Sequence, residues 1–259
     1  MRILLTNDDG IHAPGIAALK AAMAPLGEVT VVAPDAERSA TAHSITLDRP
    51  LRVREVYVAD TFLGFAVDGS PADCVKLGVK EILQTAPDLV LSGINLGSNV
   101  GINVLYSGTV AAGLEGAILG VTSVAVSLVA SKKPDFTAAA RIAAGVISQI
   151  LAANPPRGSL FNLNIPRGAP EAIRGVKLAR QSTISYEDGF DVRVDPRGGK
   201  YFWMTGELNK HELPPDCDAA LLAEGFITLT PLHYDLTDGK LLDQAARWKI
   251  RLGQAPQVS

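Results

Sequence analysis

Cysteine is scarce in this chain. Cys74 and Cys217 are the only two in 259 residues, and no Cys-x-x-Cys pair occurs, which excludes a disulfide framework and a thiolate zinc centre. Basic residues are not in excess either: 24 Lys and Arg face 27 Asp and Glu, for a net charge of −3. That balance argues against a protein that grips a nucleic-acid backbone, although a small anionic substrate needs only a local positive site. Long hydrophobic runs are missing. The most apolar window, residues 116–130, contains Gly120 and falls short of the roughly 20 residues that a membrane-spanning helix requires. The first residues lack a basic region followed by an apolar stretch, so no signal peptide is expected, and a reducing cytoplasm is the expected compartment. The four histidines, His12, His43, His211 and His233, form no pair at metal-binding spacing.

What is present suffices for a large core. Apolar residues make up 47% of the chain and charged residues 20%, a balance that excludes global disorder. The length fits one large α/β domain or two small ones. Short apolar runs at 2–6, 29–33, 62–67, 89–92, 121–129 and 160–165 read as strands. Between them lie amphipathic segments. One opens at Pro14-Gly15 and places Ile16, Leu19 and Met23 on one face. Another opens at Ser70-Pro71-Ala72-Asp73, an N-cap, a proline at the first helical position and a capping-box acid. A small-residue helix is expected at 110–119 and a longer one at 136–151, ended by Asn154-Pro155-Pro156. Near-continuous apolar strands separated by helices predict a mainly parallel sheet covered on both faces.

After Pro166 the texture changes. Residues 180–215 are polar and rich in turn signals, with 192–194 and 200–204 able to pair as a hairpin. A connection of that length reads as an arm or lid. Residues 226–232 return to strand texture, and 241–252 fit a terminal helix. The expected architecture is a Rossmann-like three-layer α/β sandwich formed by a single domain over 1–259, with an oligomerisation arm at about 180–215 and a C-terminal helix at about 241–252.

Ligands of parallel α/β sheets bind beyond the carboxyl ends of the strands. The residues just past the first strand are Asn7, Asp8 and Asp9; past the second come Asp35, Glu37, Arg38 and Ser39. Past the 89–92 strand come Gly93, Asn95, Gly97, Ser98, Asn99 and Gly101, and Tyr106-Ser107-Gly108-Thr109 precedes a helix. Adjacent carboxylates repel, and the next Lys or Arg after Asp9 is Lys20. Hard oxygen ligands without sulfur suit Mg²⁺, Mn²⁺ or Ca²⁺, and such a cation would turn the repulsion into shared attraction. Ser107-Gly108-Thr109 at a helix start would offer N–H groups and hydroxyls to an anion. Taken singly, Asp8-Asp9-Gly10 reads as a turn and Ser107 as an N-cap; taken together, they read as a cation site beside a phosphate cradle.

The same stretches carry a family likeness. Ile3-Leu4-Leu5-Thr6-Asn7-Asp8-Asp9-Gly10, Ala33-Pro34-Asp35 with Arg38-Ser39, Gly69-Ser70-Pro71-Ala72-Asp73-Cys74-Val75, Ser92-Gly93-Ile94-Asn95, Leu105-Tyr106-Ser107-Gly108-Thr109-Val110 and Thr228-Leu229-Thr230-Pro231-Leu232 resemble the SurE family. The resemblance implies a metal-dependent nucleotidase that hydrolyses nucleoside 5′-monophosphates and 3′-monophosphates, with polyphosphate as a further candidate substrate. It implies that Asp8, Asp9, Ser39 and Asn95 hold one divalent cation per subunit, Mg²⁺ or Mn²⁺. It also implies that Asn95, Ser107, Gly108 and Thr109 hold the phosphate, that Asp8 or Asp9 accepts a proton or attacks directly, and that the arm builds a homodimer or homotetramer. Neither a nucleic-acid polymer nor a membrane is an expected partner. Two phosphate-handling alternatives fit less well: a receiver-like domain wants an acceptor Asp after the third parallel strand, and a haloacid-dehalogenase-type phosphatase wants Asp-x-Asp. A non-enzymatic nucleotide-binding regulator on the same fold is the third reading.

Overall fold

A computed structural model describes residues 1–38, 41–184, 186–208 and 213–248. Strands β1 (Arg2–Thr6), β2 (Glu28–Pro34), β4 (Thr61–Val67), β5 (Leu89–Leu96), β6 (Thr122–Leu128) and β7 (Leu160–Ile165) run parallel to one another. The sheet order is β3-β4-β2-β1-β5-β6-β7-β11-β8. At one edge β3 (Val53–Val58) pairs antiparallel with β4; at the other, β11 (Ile227–Leu232) runs antiparallel to β7 and parallel to β8 (Val176–Leu178).

Both faces are covered, as the apolar strands require. In β1, Ile3 and Leu5 join a cluster with Ile16, Leu19 and Met23 of α1 (Pro14–Met23) and Ala139, Ala143 and Ile147 of α4 (Phe136–Ala152). Leu4, between them, points the other way, to Cys74 and Val75 of α2 (Pro71–Leu77) and Ala112 of α3 (Gly108–Ile118). Leu89, Val90 and Leu91 of β5 divide in the same alternation. Period-two geometry therefore demands an apolar residue at every position, and the alternation of a half-exposed strand is absent. The α3 helix lies close to the sheet because it is built of small residues: a Cβ on Gly116 would strike Ser123 Oγ and Val90.

The expected three layers and the mainly parallel sheet are what the structure shows, and several boundaries differ. Strand β5 continues to Leu96, with its pairing to β6 interrupted between Ser92 and Asn95, so Asn95 lies at a strand end and not in the following loop. The α2 helix ends at Leu77 and widens through 78–82, where Leu83 N–H reaches Gly78 O. Strands β3 and β8 escaped the reading because charged or exposed residues interrupt their patterns at the sheet edges. The short α5 (Asp218–Ala223) also escaped it. The terminal helix α6 spans Gly239–Ala245, and positions 249–252 of its expected range fall outside the described residues.

The hairpin is longer than expected. Strands β9 (Tyr186–Val194) and β10 (Lys200–Leu208) form a separate two-stranded sheet, because the 187–189 segment that reads as a turn pairs with 205–207. Cross-strand pairing puts Phe190 opposite Met204 and Val192 opposite Phe202 on one face, and all four are exposed.

Candidate active site

The order of the sheet reverses at β1, which is flanked by β2 on one side and β5 on the other. The crevice beyond such a switch point is where open α/β sheets place ligands. Here it gathers the 7–10 loop after β1, the Asp35–Arg38 segment after β2, Asn95 at the end of β5, and the start of α3.

The loop after β1 is held from several directions. Asn7 Nδ2 donates to Gly10 O at 2.8 Å, Arg38 N–H donates to Asp8 O at 2.7 Å, and Ile11 N–H donates to Pro34 O at 2.9 Å. Asp8 is 5% exposed. Its Oδ1 accepts the Thr109 hydroxyl at 2.7 Å, and its side chain lies against the first residue of α3. A Cβ built on Gly108 would sit 2.9 Å from Asp8 Cβ and 3.2 Å from Asp8 Oδ2. Ser107 caps α3, accepting from Val110 N–H at 3.1 Å, so its own hydroxyl hydrogen is still available to a ligand. The carboxylate of Asp8 thus meets the positive end of the helix.

The electrostatics of the pair are unfavourable. Burial pushes the Asp8 carboxyl above its ordinary value, and the hydrogen bond from Thr109 opposes this without cancelling it. Asp9 is pushed up to about 6, first by burial, then by the charges of Asp8 and Glu37; a bond from the Leu96 backbone N–H acts the other way. The nearby guanidinium of Arg38 is turned to Asp35, 3.3 Å from Nη2, while its Nε is buried without a hydrogen-bond partner. Two carboxylates crowded by a third, with the adjacent arginine engaged elsewhere, are a donor set suited to a hard divalent cation. Asn95, half-buried, donates from Nδ2 to Gly97 O at 2.8 Å, which leaves its carbonyl oxygen as the acceptor such a cation would want.

Of the expected site residues, Asp8, Ser107, Gly108 and Thr109 are brought together directly, and Asp9 is joined to the Asn95–Leu96 end of β5. Ser39 lies outside the described residues. Its flanks approach the site: Thr41 Oγ1 donates to Arg38 O at 3.1 Å, and Ala42 N–H donates to Tyr106 O at 3.1 Å, next to Ser107. Among the described residues no group of three or more His, Cys, Asp and Glu is arranged as a metal centre; the proposed set is mixed, with two carboxylates.

Among the described residues, no histidine joins Asp8 and Asp9 in a metal-ligating group. His12 is exposed. His43 Nε2 is 3.0 Å from Glu115 of α3, whose other oxygen is 2.6 Å from Lys76 Nζ. Lys76 thus pairs with a buried acid, and these bonds hold the Glu115 carboxyl below its ordinary value against the burial that would raise it. His233 stacks on Tyr234, and His211 lies outside the described residues. Glu37 and Arg38, grouped with the site by sequence but given no role there, act on it through the Glu37 charge and the buried Nε–H of Arg38. A signal for both was their place directly after β2.

Comparison with known proteins covers the same ground. A family model described as Survival protein SurE matches residues 3–188. The chain is 50% identical over 254 residues to a 5′-nucleotidase SurE from Rhodopirellula baltica, covering 97% of this chain and all of that relative. It is 47% identical over 246 residues to a 5′-nucleotidase SurE from Pelotomaculum thermopropionicum, covering 94% and 93% of the two chains. The crystal structure of the SurE protein from Aquifex aeolicus superposes with a TM-score of 0.84 at 38% identity, covering 94% of this chain and 98% of that one.

Proposed function

The chain belongs to the survival protein SurE family, and from that premise we propose that it is a 5′-nucleotidase, releasing inorganic phosphate from nucleoside 5′-monophosphates. The observation that carries this reading is the seating of the acidic loop on the start of α3, with Thr109 Oγ1 2.7 Å from Asp8 Oδ1. One end of that contact attracts a cation and the other an anion, which is what a phosphomonoester with its counter-cation requires.

Asp8, Asp9 and Asn95, together with Ser39, would hold one Mg²⁺ or Mn²⁺, which when bound neutralises phosphoryl charge and acidifies water. The chain's own groups divide the remaining work. Ser107 offers its hydroxyl and Gly108 its N–H to the phosphate, at a helix end whose dipole favours added negative charge. Thr109, expected among the phosphate donors, has its hydroxyl hydrogen committed to Asp8; its role becomes the orientation of that carboxylate. Of Asp8 and Asp9, the less buried Asp9 is the one we assign to accept the proton of attacking water. A phosphoenzyme trapped on Asp8 or Asp9 would refute attack by water.

The test is phosphate release from a panel of nucleoside 5′-monophosphates, 3′-monophosphates and polyphosphate, each with Mg²⁺, Mn²⁺, Co²⁺, Ca²⁺ or EDTA. Release from 5′-monophosphates that EDTA abolishes is expected; none from any nucleotide with any metal would overturn the reading.

The hairpin supplies the second part of the proposal. An apolar stripe of Phe190, Val192, Phe202 and Met204 on a detached two-stranded sheet is a surface that a monomer leaves in water at a cost. A second copy of the chain covers it, giving a homodimer or homotetramer. Removal of residues 186–208 should shift sedimentation to the monomer; a deletion variant that still sediments as the wild type would contradict this. The compartment we assign is the cytoplasm. Both cysteines are buried and unbridged, and among the described residues no helix is long and apolar enough to cross a membrane.

A further inference from the structure

The segment 97–106 joins the two halves of the site, leaving β5 after Leu96 and reaching the α3 cap at Ser107. Backbone bonds tie its ends, Gly97 N–H to Leu128 O at 2.8 Å and Ala42 N–H to Tyr106 O at 3.1 Å, and side chains fasten its middle at Asn99 and Gly101. At Asn99, the N–H donates to Asn164 Oδ1 at 2.8 Å, Nδ2 donates to Ser127 Oγ at 2.8 Å, and the carbonyl accepts from Asn162 and Asn164 at 2.7 and 3.1 Å. At Gly101, the N–H donates to Asp218 Oδ2 at 2.9 Å and the carbonyl accepts from Gln181 Nε2 at 2.9 Å.

We propose that Asp218 is a positioning residue for the phosphate site, fixing through Gly101 the loop that sets Asn95 and Ser107 relative to each other. The inference rests on the phosphatase reading of those two residues. Asp218 is fully buried, and its charge is met by backbone N–H groups from three segments. Oδ2 takes Gly101; Oδ1 takes Ser182 at 3.0 Å and Ala219 at 2.8 Å. The plainer role, an acid in the first turn of α5, accounts for the Ala219 bond alone. A helix of six residues does not require a carboxylate sealed from water, and Oδ2 reaches instead to a loop 117 positions away. Burying a carboxylate is unfavourable unless its bonds are kept, so those bonds are held rigidly and the loop with them. The same carboxylate also grips Ser182, close before the first strand of the hairpin, so the arm and the site loop share one anchor.

The geometry supplies a separating variant. In Asp218→Asn the single remaining oxygen can serve Ser182 and Ala219, while the amide N–H₂ faces the Gly101 N–H and cannot accept from it. Gln181→Leu releases the Gly101 carbonyl alone and covers the case in which Asp218→Asn fails to fold. Asp216→Asn is the control, since Asp216 is an exposed partner of Arg180. The experiment measures kcat and KM on a nucleoside 5′-monophosphate per folded molecule, the Kd of inorganic phosphate by calorimetry with Mn²⁺, and the sedimentation coefficient. Asp218→Asn should lower kcat on the order of tenfold to a hundredfold, the scale of a catalytic group misplaced by up to about 1 Å. It should also weaken phosphate binding with sedimentation unchanged. Gln181→Leu should do the same less severely, and Asp216→Asn should match the wild type. Wild-type kcat and phosphate Kd in both Asp218→Asn and Gln181→Leu would overturn the inference, as would equal impairment by Asp216→Asn. If the wild type hydrolyses no nucleotide, the nucleotidase reading falls. The positioning inference is then still decided by the phosphate Kd, which the two loop variants must weaken.

Discussion

Replacing Gly108 by Ala sets two physical effects against each other. By propensity the change should help, since alanine exceeds glycine by up to about 1 kcal/mol inside a helix and by less in the first turn. The surroundings forbid a free gain. The new methyl would lie 2.9 Å from Asp8 Cβ, 3.2 Å from Asp8 Oδ2 and 3.3 Å from Pro71 Cγ, against the roughly 3.5–4.0 Å of an unstrained contact between carbons. Pro71 blocks one side, so the displacement, about 0.6 Å or more, must be taken up by the Asp8 side chain or the start of α3. Overpacking of this kind costs about 1–3 kcal/mol. After the helix gain, the net loss is about 0–3 kcal/mol, a fall in Tm of up to roughly 10 degrees. Activity should suffer far more, because a catalytic group displaced by about 1 Å loses on the order of a hundredfold in rate. The assay pairs kcat at saturating Mn²⁺ with thermal melts, and Gly113→Ala serves as the control: its methyl would meet Leu160 at 2.8 Å, straining the same helix away from the acids. Gly113→Ala should lose stability and keep kcat per folded molecule. A Gly108→Ala enzyme with wild-type kcat, or one whose loss merely tracks its unfolded fraction, would refute the reasoning.

Four further outcomes are expected. Asp9→Asn should abolish turnover and, in EDTA, raise the Tm: a carboxyl raised from 3.8 to about 6 by folding contributes stability that is full below about pH 4 and lost as pH rises through 6. Mn²⁺ should raise the Tm of the wild type and not of this variant, and near wild-type activity of Asp9→Asn at saturating Mn²⁺ would remove Asp9 from the site. Ser70→Ala should lower stability by about 0.5–2 kcal/mol in denaturant unfolding, because Ser70 Oγ both accepts from Asp73 N–H and donates to Ser44 O; no change in midpoint would count against the capping role. For Asp73, burial raises the carboxyl, but bonds from Thr46 and Ser70 prevail and leave it below 3.8. Its stabilisation is therefore full above about pH 4 and lost as pH falls through the lower folded value, and Asp73→Asn should flatten that acid limb in pH-dependent melts. Gly145→Ala on the exposed face of α4, where a methyl meets nothing within 4 Å, should stabilise by about 0.5–1 kcal/mol, and a lower Tm would show a contact that the structure lacks.

Features whose partners lie within a few residues were legible from the chain alone. The capping box at Ser70–Asp73 closes over four positions, and both of its bonds form as read. The Ser107 cap and the proline at the start of α1 are equally local. The central strands β1 and β5 were legible because both of their faces are covered, and 3–5 and 89–91 are apolar throughout. Strand β8 was not, since its three exposed residues acquire strand geometry only by pairing with β11. The extension of β5 to Asn95 was hidden for a related reason: Gly93 and Asn95 read as loop residues until β6 supplies Ser127 and Leu128 to pair with Asn95 and Leu96.

The site divides along the same line. By itself the sequence determined which side chains gather at one edge of the sheet, because the acids, amides, hydroxyls and glycines follow successive strands and a parallel sheet must bring those ends together. It did not determine what each side chain does there. Thr109 looked like a phosphate donor and is bonded to Asp8, 101 positions away. Glu115, Lys76 and His43 lie far apart in sequence and form a linked group around a buried acid. Asp218 carried no signal at all until the fold set it beside Gly101. A polar group's capacity to bond is written in its residue type, but its partner is chosen by burial. Once water is excluded, most donors and acceptors find a mate among the groups that packing has placed nearest, and only the tertiary structure decides which those are.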